Sequence, residues 1–305
     1  MSAIDPTGRR IDLERGAVTA RIAQVGAGLR GLTVDGVDLV PPYPDGAPAP
    51  AASGIVLVPW PGRVRDGRWT QRGVTRELAL TEPALGNASH GLLRFTAYTV
   101  EQETPASATL RATVFPQTGY PFLLDTAVTY ALEEDGIRVR HVIRNAGTDD
   151  APVALGTHPY LCVGDVPTAE LTLEVDAETR IVVDDRKLPV AEEPVDAAHD
   201  LRAPRRVGDL ALALDAAFGN VARDANDHVH GLLRTPDGRT VDLWAGPGFD
   251  YLQVFTTDRY PGNPVAVAVE PMTAPGDALN SGLGLRWLAP GQTWELEWGI
   301  RLHRP

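Results

Sequence analysis

The sequence predicts an all-β protein, one large single-domain antiparallel β-sandwich over residues 1–305, and three observations carry that expectation. Glycine and proline are dense, 30 and 26 of 305 residues or about 18%, against an average near ~12%. Punctuation at that density cuts the chain into pieces that suit strands better than helices. The pieces alternate apolar and polar residues with period two. Successive strands are joined by turns rather than helices, which favours antiparallel sheets.

In chain order, strands are expected at 18–25 and 32–39, followed by a proline-rich loop at 41–50 and an apolar run at 55–60. A strand at 110–114 precedes a hairpin in which 122–132 turns through Glu133-Glu134-Asp135-Gly136 into 137–144. Strands at 171–175 and 181–183 come next, then weak helical periodicity at 192–201 and 207–214, read as short turns of helix. A second hairpin joins 231–234 to 240–244 through Pro236-Asp237-Gly238. At the end, Trp294, Leu296, Trp298, Ile300 and Leu302 share one face of a strand. The turn Ala289-Pro290-Gly291-Gln292 reads as joining it to 285–288 in a C-terminal hairpin. No linker or internal repeat divides the chain.

Composition narrows the function classes. Hydrophobic residues at 43% and charged residues at 22% describe a globular protein, and the formal charge is −12 with a pI near 5.0. An acidic surface with no basic run argues against nucleic acid as a partner. Lys187 is the only lysine, and Cys162 is alone, which excludes an intramolecular disulfide and a multi-cysteine zinc site. The start is polar, without the apolar core of a secretory signal, and stretches such as 265–269 are too short to span a bilayer. The expectation is a cytoplasmic protein without a membrane partner, monomeric or homodimeric.

Three local motifs are set aside. Residues 26–31 match G-x-G-x-x-G, but a strand and turn follow where a dinucleotide site needs a helix. His228 and His230 lack a convincing third ligand and read as a solvated loop. Cys162, four residues after His158, reads as a buried structural cysteine rather than a nucleophile.

Polar residues interrupt apolar runs at three places. Val265-Ala266-Val267-Ala268-Val269 ends in Glu270, Val153-Ala154-Leu155-Gly156-Thr157 ends in His158, and Arg63 follows the run 55–62. A carboxylate leaving an apolar strand is costly unless paired or functional. Strand parity puts Ala268 and Ala266 on the face of Glu270, and Gly156 and Ala154 on that of His158. Small neighbours on both faces predict a hollow beside each group. A carboxylate and an imidazole facing one concavity are the parts for general acid–base chemistry. Trp60, Trp69, Tyr160, Trp244 and Phe249 are available as ring faces for a sugar.

Five stretches in order resemble the aldose 1-epimerase (mutarotase) family: Pro59 to Trp69, His90-Gly91-Leu92-Leu93-Arg94, Thr157-His158-Pro159-Tyr160-Leu161, Leu214-Asp215-Ala216-Ala217-Phe218 and Val269-Glu270-Pro271-Met272-Thr273. The resemblance implies a galactose mutarotase-like supersandwich that uses no metal or organic cofactor. It implies Glu270 as general base and His158 as general acid, with His90 and Arg63 binding the sugar and Asp215 holding ring hydroxyls. Ring opening at the anomeric carbon, rotation about C1–C2 and reclosure would then interconvert α and β anomers of a free aldohexose. An imidazolium beside an ionised carboxylate would be poised near neutral pH. Two departures matter: Gly62 stands where the family commonly has Asn, and the His-Pro-Tyr stretch looks like a branch other than galactose mutarotase proper. That branch includes members acting on phosphorylated hexoses, so a hexose-6-phosphate 1-epimerase is one alternative, with Arg63, Arg65 and Arg68 as phosphate candidates. A non-catalytic carbohydrate-binding protein is the other.

Overall fold

A computed structural model describes residues 5–210 and 214–305. Among these residues two large antiparallel sheets dominate. One has nine strands, in the order Thr99–Thr104, Ser107–Val114, Leu124–Leu132, Gly136–Asn145, Thr293–His303, Thr240–Ala245, Val229–Arg234, Thr172–Val175 and Arg205–Arg206. The eight-stranded sheet runs Pro189–Pro194, Ala177–Val183, Asp215–Val221, Tyr251–Thr257, Ala266–Met272, Gly156–Thr157 and Val56–Leu57, with Tyr160–Leu161 also on Ala266–Met272. A four-stranded sheet, Arg10–Arg15 to Val37–Val40, precedes them.

Period-two burial builds the interior. Leu124–Leu132 alternates buried and half-buried residues along its whole length, as a one-face-solvated antiparallel strand should. Val267 and Val269 point into the shared core with Leu233, Leu243 and Ile300 of the nine-stranded sheet. The two sheets touch there: a Cβ on Gly231 would stand 2.6 Å from Val269 Cγ1. Glu270, Ala268 and Ala266 therefore occupy the opposite, outer face of their strand.

Both internal hairpins form, with Leu132 opposite Ile137 and Arg234 opposite Thr240. Residues 26–31 make a bend into the strand Leu29–Val34 and no helix. The C-terminal hairpin does not form. Arg286–Leu288 pairs with Ala151–Val153, because Gly136–Asn145 and Thr240–Ala245 occupy both edges of Thr293–His303. The turn at 289–292 exists, but its two arms diverge. The helical reading of 192–201 also fails in its first part. Pro189–Pro194 is an exposed edge strand whose Glu192 and Glu193 face solvent, a charged edge that resists further pairing. Val207–Asp209 is one 3₁₀ turn, Leu210 and Leu214 are in no helix, and 211–213 lie outside the described residues.

Candidate active site

The sheet register assembles the site. Gly156 pairs with Met272 and Tyr160 with Ala268, so His158 stands at the intervening step, opposite Glu270. Its backbone is taken instead by the neighbouring segment: the His158 N–H donates to the Ile55 carbonyl at 3.2 Å, and its carbonyl accepts from the Gly54 N–H at 2.7 Å. Proline on the C-terminal side of both His158 and Glu270 removes a donor at each step and helps open the ladder there. His158 Nε2 comes to 3.3 Å from Glu270 Oε1, with both side chains less than one-tenth exposed.

On the other side, Gln253 pairs in register with Glu270 and Ala217, while Asp215 pairs with Phe255. Gln253 Nε2 donates to Asp215 Oδ1 at 2.5 Å. Arg63 reaches in from the short strand Arg63–Arg65, which pairs with Asn87–Ser89 and so brings His90 alongside. The Arg63 guanidinium donates to Asp215 Oδ2 at 3.2 Å and to both oxygens of Glu82, at 2.8 and 3.2 Å. His90 adopts a left-handed backbone (φ 62°), and its N–H donates to the Gly62 carbonyl at 2.8 Å. The ring of His90 meets that of His158 edge-on, with centroids 6.0 Å apart.

These groups line one cleft of about 250 Å³. That is just below the ~300–1,000 Å³ typical of ligand pockets, a size for one small molecule. All five expected site residues, Glu270, His158, His90, Arg63 and Asp215, border it. So do Glu82, Arg94, Lys187, Gln253, Phe255 and Arg259, which sequence reasoning did not single out. Gln253 could have been found by pairing its strand with that of Glu270. Glu82 sits in an irregular loop with no periodic signal.

The hollow does not come from the small residues beside Glu270 and His158. Ala266 and Ala268 pack under Tyr43, Tyr160 and Tyr260, Ala154 packs with Ala274 and Ala278, and none of them borders the cleft. Gly156 leaves no hollow either, since a Cβ there would meet Pro61 Cβ at 2.8 Å. These four small residues serve close packing, and the cleft opens instead beside Met272 and small residues of other segments, Ala51, Gly62 and Ala217. The ring-face expectation is corrected too. Trp60, Trp69, Tyr160, Trp244 and Phe249 are buried away from the cleft, and Phe255 supplies its ring. Tyr160 acts at one remove, stacked on His158 at 5.4 Å. Of the phosphate candidates, Arg65 turns to Asp184 and Asp277, and neither it nor Arg68 borders the cleft.

The charge state expected of the pair is also revised. Burial pushes His158 down to about 4, and the charges of Arg94 and Arg63 add to the shift. Burial and then the charge of Asp215 push Glu270 well above the ordinary carboxylate range, against the pull of Arg63. Desolvation thus outweighs the mutual attraction of imidazolium and carboxylate, and both groups favour their neutral forms. The pair holds one proton either way. His90 is likewise pushed far down, by burial first and then by nearby positive charge, including that of Arg94 and Arg63.

Gly62 has a steric reason. Its φ is +65°, and a Cβ would lie 2.9 Å from Gly276 Cα, so two backbones meet at the cleft wall with no room for a side chain. Outside the cleft, Cys162 is buried with its thiol against the Asp38 carbonyl, and burial pushes it far up, as suits a structural cysteine. His230 is not in a solvated loop. It lies in the strand Val229–Arg234, 2.8 Å from Asp242 and 3.3 Å from Asp224.

The aldose 1-epimerase family model matches residues 9–301. A relative from Escherichia coli K12, the uncharacterized protein YihR, is 32% identical over 297 residues, covering 96% of this chain and 93% of its own. Among solved structures, a galactose mutarotase-like protein from Clostridium acetobutylicum superposes with a TM-score of 0.84 at 16% identity, covering 97% of this chain and 95% of that one. A GalM/aldose epimerase homologue from C. elegans gives 0.81 at 18%, covering 97% and 99%. Galactose 1-epimerase from Lactobacillus acidophilus gives 0.77 at 18%, covering 96% and 94%. The described sheets are those of the galactose mutarotase-like fold.

Proposed function

The chain belongs to the aldose 1-epimerase family, and from that premise we propose that it interconverts the α and β anomers of a monosaccharide by reversible ring opening. The observation that carries this reading is the 3.3 Å approach of His158 Nε2 to Glu270 Oε1 at the bottom of a sugar-sized cleft.

Glu270 is the base and His158 the acid. In the resting pair the shared proton favours the carboxyl, and its transfer across the contact gives the reactive carboxylate and imidazolium. Bound sugar completes that shift by placing the C1 hydroxyl against the carboxylate and the ring oxygen against the imidazolium. Glu270 then takes the hydroxyl proton while His158 gives its proton to the ring oxygen, and the C1–O5 bond breaks to leave an aldehyde. After rotation about C1–C2, the O5 hydroxyl attacks the other carbonyl face, returns its proton to His158, and the new C1 oxygen takes the proton from Glu270. The pair is restored without net gain or loss. Asp215, fixed by Gln253 and Arg63, accepts from ring hydroxyls, and His90 and Arg63 bound the ring.

Anomer exchange followed by NMR tests the reading on a panel of free and phosphorylated aldoses. Catalysed exchange in the wild-type protein, lost in Glu270→Gln, is the expected result. Sugar binding without exchange on the full panel would overturn the reading in favour of a carbohydrate-binding protein.

A further inference from the structure

Resting on that reading, we infer that the cleft selects a sugar carrying an anionic group, with Arg94 as the principal recognition residue and Arg259 and Lys187 beside it.

The first ground is that three cations without an ion pair meet at one cleft, while the other arginines unpaired among the described residues, such as Arg21, Arg144 and Arg206, do not border it. Most arginines of this acidic chain sit in ion pairs, from Arg9–Glu103 to Arg304–Asp35. Arg94, Lys187 and Arg259 have no carboxylate within ion-pair distance among the described residues, and all three border the same cleft. Arg63 is the fourth cation there, already held by Glu82 and Asp215. Glu270 favours its neutral form, so Glu82 and Asp215 alone face four cations. The cleft is a positive spot on a protein of net charge −12.

The second ground is the state of Arg94 itself. It is half-buried, and its Nε is out of reach of solvent with no acceptor among the described residues. Nη1 donates to the Ser89 hydroxyl at 2.9 Å, a neutral partner. Burial pulls the guanidinium down from its ordinary value, offset in part by the more distant charge of Glu82. A half-buried guanidinium whose near partners are a hydroxyl and the face of the Phe95 ring, 4.4 Å away, still lacks a counter-charge, and a ligand anion is the group that would supply one. Guanidinium recognises phosphate, sulfonate and carboxylate oxygens through the same planar donors. A neutral hexose supplies only hydroxyls, which Asp215 and Gln253 already suit.

The test compares glucose, glucose 6-phosphate and glucuronate, using NMR anomer exchange and calorimetric binding, in wild type, Arg94→Gln, Arg94→Lys and Arg259→Gln. Wild type should turn over one of the anionic sugars with a kcat/KM at least ten-fold above that for glucose. The phosphate and carboxylate arms tell which anion is preferred. Arg94→Gln should lower the anionic-to-neutral ratio about ten-fold or more, the scale of one charge-assisted hydrogen bond. Arg94→Lys should restore part of the ratio, which a merely structural role would not do, and Arg259→Gln should lower it independently. Exchange that favours glucose, or a ratio unmoved in Arg94→Gln, overturns the inference and leaves mutarotation standing. Glucose 6-phosphate or glucuronate binding that Arg94→Gln abolishes, with no exchange of any sugar, keeps the anion site and sinks the proposed reaction. No exchange and no binding overturns both.

Discussion

Two histidine–carboxylate pairs in this chain lie at similar distances yet are held in opposite states. His158 and Glu270 approach to 3.3 Å, and His230 and Asp242 to 2.8 Å. In the first pair the histidine is pushed down and the carboxyl up. In the second, the hydrogen bond to Asp242 raises His230 despite burial, and Asp242 is held low although its own burial opposes this, through His230, His303 and Arg301. Proximity is therefore not what sets the charge. Asp242 is buried but ringed by Arg301 at 2.9 Å and His303 at 3.2 Å, partners that are themselves partly wet. Glu270 has a buried imidazole, a distant Arg63 and the repelling charge of Asp215. The outer pair is an ion cluster, while the inner pair is kept neutral, the state from which the proposed proton transfer starts.

The largest separation should appear in turnover. Glu270→Gln and His158→Gln should each lower kcat by ~10²-fold or more, measured by anomer exchange, while Asp242→Asn leaves kcat within a factor of a few. An equal loss in Asp242→Asn would erase the distinction. Next, Asp215→Asn should raise KM about ten-fold and move the Glu270 limb of the pH–rate profile to lower pH, because Asp215 raises that carboxyl. A limb that stays in place would remove Asp215 from the electrostatics of the pair.

Stability should reverse the ranking of the two pairs. Asp242→Asn should cost about 1–3 kcal/mol in denaturant unfolding near pH 6, since it breaks hydrogen bonds to charged groups at a buried acceptor. Glu270→Gln should instead raise Tm by about 2 °C or more at pH 7. A carboxyl whose folded pKa is raised contributes stability below its unfolded value of ~4.3, and that contribution is lost as pH climbs through the folded value. The gain in Glu270→Gln should therefore shrink at pH 4. The smallest effect belongs to His230→Gln. A raised histidine stabilises fully below ~6.5 and loses this as pH rises through its folded value, so the variant should be weakened by under about 1 kcal/mol at pH 6 and less at pH 9.

The inner half of this contrast was legible in the sequence, and the outer half was not. Alternation along 294–302 and the hairpin of 122–132 with 137–144 announced the sheets, and apolar runs ending in Glu270 and His158 marked the two groups that meet at 3.3 Å. Turn chemistry identified the turn at 289–292 but not which strands it would join, since pairing depends on which edges are already taken. The outer pair was missed because His230 and Asp242 meet only through the cross-strand register of a hairpin whose solvated face was not read for charge. Small residues beside Glu270 were read as space, whereas Tyr160 and Tyr260 fill it from segments over a hundred residues away and from a turn respectively. Arg94, Arg259 and Lys187 carry no local mark, because lacking a partner is a property of the fold.

The interrupted register around His158 and Glu270 has one more effect. Backbone pairing at 156–272 and 160–268 pins His158 and Glu270 to the pitch of a single sheet, while Glu82, Arg94 and Lys187 arrive on loops. Exchanging those loops should retune which sugar is accepted and leave the spacing of donor and acceptor untouched. The scaffold thereby keeps the proposed proton pair on the sheet and leaves the choice of sugar to the loops around it.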